Sequence, residues 1–304
     1  MESLIKIVYQ NTEFSPKEST FLGLTFAQII SAVIPIALFF AGYYAKGVEE
    51  KRKERKRLIE LEDYLRKLIE LLESPLTKQK DALLKFSHTL KENRERPLNL
   101  TIVSGLLNDN QIKEIDKKDL YTIFIKRKNA ETDFKTELYN TLKNSLDYID
   151  YIKNSLHGEF NALNELHGKL MEDYKLNIKE IGDIFHEMIA TNERDKIELK
   201  DDQFLIDFYK IKINWSKLNL HGVSYTDIYV SKKNFIEPMI KLCKTAEADF
   251  RAVKILKHAM ECIYAFNDLI ELKRTYRGIF IMNARGLQES MFRIKRTMLR
   301  FNSM

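Results

Sequence analysis

FLGLTFAQIISAVIPIALFFAGYYA, residues 21–45, carries no formal charge, and its reading decides the architecture. As a helix it reaches about 37 Å at 1.5 Å per residue, more than the roughly 30 Å hydrocarbon core of a bilayer. A cleaved signal peptide is the competing reading. The twenty residues before the stretch are not basic, the apolar run is too long, and Lys46 follows without a small-residue cleavage site, so an uncleaved span is expected. Only Lys6 and Lys17 precede it, whereas Lys46, Lys51, Arg52, Lys53, Arg55, Lys56 and Arg57 follow. The positive-inside rule therefore puts residues 1–20 outside as a short tail and the remainder in the cytoplasm. Later apolar runs are too short to span, which predicts a single-pass membrane protein.

Thr25, Gln28, Ser31 and Pro35 share a narrow arc of this helix. Polar side chains in a span are costly against lipid and usually face protein or water, and Pro35 frees a backbone carbonyl that a neighbour must satisfy. Small residues, among them Ala27, Ser31, Ala32, Ala41 and Gly42, permit close helix approach. Three readings follow: a plain anchor, a self-associating helix, and a pore lined by Thr25, Gln28, Ser31 and Pro35.

Past the basic neck, Leu58, Leu61, Leu65, Leu68 and Leu72 recur at spacings of three and four until Pro75. This a/d seam over 46–74 predicts a stalk that gathers several copies, the alternative being an amphipathic helix packed on its own body. The chain of 304 residues has only 10 Gly and 5 Pro, with 44% hydrophobic and 31% charged residues. That excludes loop-rich β, collagen-like and Pro-rich linker classes. Residues 76–304 read as an all-α body: helices over 77–91, over 134–170 as one element or two meeting at Gly158, over about 178–193 and 201–217, and from Pro238 onward. Asn93–Gly105 reads as a loop, and residues 223–231 as a short strand or extended segment. Cys243 and Cys262 are placed on one helix about 28 Å apart, too far to bridge.

The end of the chain concentrates charge. Residues 273–304 hold eight Lys/Arg against one Glu, while the net charge of the whole is +6. On a continuous helix Arg274, Arg277, Arg285, Arg293, Arg296 and Arg300 share one face, within an arc of about 160°. Ile279, Phe280, Leu287, Met291, Ile294, Met298 and Phe301 take the other. The guanidinium fork matches phosphate and stacks on bases. With Ile281, Met282, Phe292 and Leu299 interleaved, the face suits a nucleotide or single-stranded nucleic acid. Anionic lipid and pairing with acidic groups of the body are the competing uses.

Catalytic motifs are sparse. His186-Glu187 lacks the second histidine of a zinc HExxH site, since residue 190 is Ala. P-loop, GxGxxG and GxSxG patterns are absent from the sequence, His157 and His167 read as surface or helix-packing residues, and no metal or cofactor is expected. Arg251 and His258 form R-x6-H, which resembles the Arg…His pair of HEPN ribonucleases. The residues between them lack the polar residue usual after the Arg, so the chain is read as not an enzyme.

Short tail, single span, basic neck, leucine stalk and helical body together resemble the membrane effectors of bacterial anti-phage defence, in particular the Hailong-type channel subunit. That resemblance is carried by the span 21–45, the stalk leucines and the arginine face of 274–300. It implies a homo-oligomer, tetramer or larger, acting as a ligand-gated channel that depolarises the cell. Its ligand would be a nucleotide messenger or short single-stranded DNA made by a partner nucleotidyltransferase. A membrane-tethered HEPN-like ribonuclease and an anchored scaffold without ion flux stand as alternatives.

Overall fold

A computed structural model describes residues 26–91, 97–103, 115–126, 131–218 and 227–303. Every regular element among them is helical, as the three-and-four spacing of apolar residues requires. Contacts divide the chain into an N-terminal unit ending at Tyr64 and a body from Leu65 to Met304.

The first helix, α1, spans Phe26–Lys91. Its beginning is apolar, with an 18-residue window of mean hydropathy 1.4, none of it buried. Val33, Ile36, Phe39, Phe40, Tyr43 and Tyr44 are all exposed. Among the described residues this is the one helix long and apolar enough to cross a membrane. Thr25 lies outside the described residues, and Gln28 is placed only as part of the helix; Ser31 and Pro35 lie on its exposed stretch.

Pro75 does not close α1. A proline in a helix interior removes one hydrogen bond and crowds the carbonyl four residues earlier. The cost is outweighed here by burial on both sides, through Leu68 and Leu72 before it and Leu76, Leu83, Phe86 and Leu90 after it. The predicted helix over 77–91 is therefore the continuation of the stalk. The seam follows the second of its two readings, as far as one chain shows it. Leu65, Leu68 and Leu72 are buried within a single chain, so they pack intramolecularly, while Leu71 between them is exposed. Leu58 and Leu61 belong to the N-terminal unit.

After a short α2 (Lys117–Tyr121) and a π turn over Thr122–Lys126 comes α3, Thr132–Arg194. Gly158 does not divide it, and the expected helix at 178–193 is its last third. The buried face starts as the spacing predicts, with Leu138, Leu142, Ile149, Ile152 and Leu156. A strict seven-residue pattern drifts by about 20° per heptad on a straight helix, and Leu166 comes out exposed. Met171, Tyr174, Ile181 and Phe185 then carry the core. Lys196, in the left-handed region at φ 58°, turns the chain out of this helix.

α4 (Gln203–Lys217) matches expectation. The strand reading of 223–231 does not hold where the structure describes it: Ile228–Ser231 is a helical turn, α5, capped by Asp227 and followed by a π turn over Lys232–Ile236. Residues 223–226 lie outside the described residues. α6 (Glu237–Thr245) ends at Ala246, and α7 (Phe250–Asn302) starts afresh with Asp249 as its N-cap. The single helix expected from Pro238 is thus two. The break resets the helical phase, leaving Phe250 and Val253 exposed and Cys243 and Cys262 on different helices, both buried. Burial pushes the Cys243 thiol up to about 11 and Cys262 to about 12, so neither is an activated nucleophile.

α1, α3 and α7 form the long layer of the body. Phe86 of α1 meets Phe160 of α3 and Phe280 of α7 edge-on, at 5.7 and 5.1 Å between ring centroids. Along α1 and α7, Arg66 donates to Asn302 (3.0 Å), Glu73 pairs with Lys295, and Thr77 donates to the Met291 sulfur (3.8 Å). One number rises as the other falls, so the two helices run antiparallel in a single register. At the other end of α3 and α7, the short helices enclose a core that includes Tyr174, Phe185, Phe208, Phe235, Met239 and Ile255.

Candidate functional site

α7 is continuous through Gly278 and Gly286, as the arginine face required. Phe280, Leu287, Ile294, Met298 and Phe301 are buried, whereas Arg274, Arg285, Arg293 and Arg296 are exposed and Arg277 and Arg300 half-buried. Met282, Phe292 and Leu299 are exposed among them. The arginines do not converge, however. From Arg274 to Arg300 the helix rises about 39 Å, so they form a stripe rather than one pocket.

Arg274 is paired with Glu271 at 2.9 Å, and Arg293 with Glu289 at 3.5 Å. Both pairs are exposed, where such contacts contribute about 0.3–0.5 kcal/mol; an anion can displace them. The Arg277 Nε is buried without a hydrogen-bond partner among the described residues. Arg285 and Arg293 line a common depression, about 360 Å³, with Tyr148, Met282, Gly286 and Glu289. A neighbouring hollow of about 500 Å³ adds Gln288 and Phe292.

Tyr148 was not legible as a site residue. It sits beside the apolar face of α3, 138 residues from Gly286, and no local pattern announces which helix covers it. Gly286 explains its seat: a Cβ there would lie 2.5 Å from the Tyr148 ring and 2.8 Å from its hydroxyl. The missing side chain lets the ring rest on the α7 backbone. Tyr151 stacks beside Tyr148, with ring centroids 6.2 Å apart and planes within 19°.

Arg251 and His258 do not share a pocket. Arg251 opens α7 and lines a cleft of about 750 Å³ with Phe204, Asp202 and Asp249. Its guanidinium donates to Asp202 at 2.6 and 3.0 Å and to Asp249 at 2.7, 3.0 and 3.1 Å. His258 lies seven residues on, about 10 Å along the helix, in a separate groove of about 460 Å³ where its Nδ1 meets Asn177 Oδ1 at 2.9 Å. The guanidinium is already held by two carboxylates and would have to give up those bonds to take phosphate charge.

The same geometry gives Arg251 a structural role. Asp202 caps α4 by accepting from the Leu205 amide (3.1 Å), and Asp249 caps α7 by accepting from the Arg251 amide (2.9 Å). The Arg251 side chain thus clips two helix N-termini together, with Asn192 donating to Asp202 at 2.9 Å. Burial pushes the Asp202 carboxyl up, but hydrogen bonds from Arg251, Asn192 and the Leu205 amide outweigh it and hold the group at about 2. Hydrogen bonds from Arg251 likewise lower Asp249, and those same two carboxylates raise Arg251.

His167 has a buried Nε2 without a hydrogen-bond partner among the described residues. Burial, followed by Lys273 and Lys175, lowers it to about 4, so it is neutral near pH 7. No group of three or more metal-capable side chains occurs among the described residues.

Fold and site define an all-α chain with one candidate membrane helix and a helical body bearing an arginine stripe. No protein-family model matches it, and neither does any curated protein or solved structure.

Proposed function

We propose that the chain is a non-enzymatic membrane effector: a single-span protein that self-associates through its span and binds a nucleotide or short single-stranded nucleic acid on α7. The observation that carries this reading is the division of α7, whose apolar stripe is buried while Arg285, Arg293 and Arg296 remain exposed beside Met282 and Phe292. A basic stripe with interleaved apolar groups, on a helix already seated in the core, suits a phosphate backbone better than a bilayer, because its other face cannot enter lipid.

The resemblance to Hailong-type channel subunits extends the proposal to anti-phage defence, with the body cytoplasmic, a pore assembled at the inner membrane and a nucleotidyltransferase as the source of the ligand. Since Leu65, Leu68 and Leu72 pack internally, self-association falls to the span, where Ser31 and Pro35 lie on exposed helix. The anchored scaffold is the second reading, and the same burial of the seam favours it.

Two experiments test the proposal. A native mass spectrum of the full chain in mild detergent is expected to show a discrete tetramer or larger assembly; a monomer would overturn the pore and leave the anchor. Binding of a labelled single-stranded oligodeoxynucleotide is expected to fall at least about tenfold in Arg293→Glu/Arg296→Glu, since removing two phosphate contacts and adding two repulsions acts across all sequences and steepens with falling salt. Unchanged binding would remove α7 as the site, and capture of phosphatidylserine vesicles in place of the oligonucleotide would reassign the stripe to lipid.

A further inference from the structure

We infer that Tyr148, seated on Gly286 between Arg285 and Arg293, is a stacking platform for a nucleobase, and that the depression around it takes single-stranded nucleic acid in preference to base-free polyanions. The inference rests on the reading of α7 as a nucleic-acid face and adds to it the element that would tell a base from a bare phosphate.

Three observations carry it. The first is the seat itself. At Gly286 the absent Cβ would meet the Tyr148 ring at 2.5 Å, so the ring lies on the α7 backbone within the stripe of arginines. The second is accessibility: Tyr148 is 41% and Tyr151 61% exposed, and their planes lie within 19° of each other. Flat rings left open to solvent in near-parallel planes present the surface on which unpaired bases stack, and every base has such a face. The third is charge. Arg285 and Arg293 line the depression with Tyr148, and Glu289 is the one carboxylate among its lining residues. Glu289 is held only by the exposed, 3.5 Å pair with Arg293, which a phosphate can replace. A duplex keeps its bases stacked on one another and offers the platform nothing.

The division of labour is therefore specific. The arginines bind any polyanion, and the tyrosine adds affinity only where a base is present. Stacking on an aromatic side chain changes affinity by about 5- to 150-fold per base on removal of the ring.

The test uses the full-length chain in detergent and two labelled probes of about ten nucleotides, an oligodeoxythymidylate and an abasic strand of equal length. The wild type is expected to bind the base-bearing strand at least about tenfold more tightly. Tyr148→Ala and Tyr148→Leu are expected to lose about 5- to 150-fold toward the oligodeoxythymidylate while binding the abasic strand within about twofold of wild type. Tyr148→Phe keeps the ring and is expected to retain binding. Gly286→Ala displaces the ring while leaving it in the sequence, and is expected to reproduce the loss. Equal wild-type binding of both probes, abolished in Arg293→Glu/Arg296→Glu, would overturn the platform and leave the nucleic-acid reading standing. Equal weakening of both probes by Tyr148→Leu would also overturn it, assigning Tyr148 to the packing of α3 on α7. Binding of neither probe would overturn the nucleic-acid reading and the platform with it.

Discussion

Asp202→Ala is expected to lower the unfolding free energy of the helical body by about 2–3 kcal/mol, through loss of a helix cap and of charge-assisted hydrogen bonds from Arg251. The Arg251 side chain is 22% exposed and that of Asp202 8%, so water cannot easily take the lost partner's place. A cap and a clip weaken together: α4 loses the acceptor for its Leu205 amide, and the Arg251 side chain is left to Asp249 alone. For a body of this size the loss corresponds to about 4–12 °C in melting temperature. Asp202→Asn keeps the shape but removes the charge and should fall between. The linkage with pH has a definite sign. Asp202 sits at about 2 when folded against an ordinary value of 3.8, so its contribution is complete above about pH 4 and disappears as pH falls toward 2. Thermal melts of wild type and Asp202→Ala should therefore converge on acidification through that window. A constant gap down to pH 2 would show that the clip is not held by charge.

Val33→Arg/Ile36→Arg is expected to remove the chain from membranes. Both residues lie mid-stretch on the exposed apolar part of α1. Each arginine near the centre of a span costs about 2.5–3.5 kcal/mol on the insertion scale, so the pair shifts the partition by more than a thousandfold. Flotation of cell lysates on a density gradient reads this directly. The wild type should rise with the lipid and the double variant should stay at the bottom. A double variant that still floats would show that this helix is not what holds the protein to the bilayer. Placing the same two arginines at exposed Tyr148 and Tyr151 should leave flotation unchanged.

The helical class and the candidate span were readable because both depend on local pattern: charge-free length for one, spacing of three and four for the other. Failures occurred where a local signal met a longer-range one. Pro75 reads as a stop, yet the apolar residues on both sides of it are buried and the helix runs through. Phe250 and Val253 fit the phase of α6, yet Asp249 caps a new helix and resets it. Asp202 and Asp249 carry cap chemistry at their own helices, but their common partner Arg251 lies 49 residues from Asp202, a distance no single sequence bridges. The arginine stripe was legible as a face of one helix. Its stacking ring was not, because Tyr148 belongs to another helix and is placed by an absence, the missing side chain of Gly286.

The register between α1 and α7 has a mechanical consequence. Arg66 with Asn302, Glu73 with Lys295 and Thr77 with Met291 all match in one antiparallel register, and Phe86 meets Phe280 two residues off it. A slide of α7 along α1 by less than a helical turn would break these three polar contacts together. Relative motion of these two helices is therefore quantised, in steps of about 5.4 Å, and a force applied to α7 that falls short of one step is returned elastically rather than passed on.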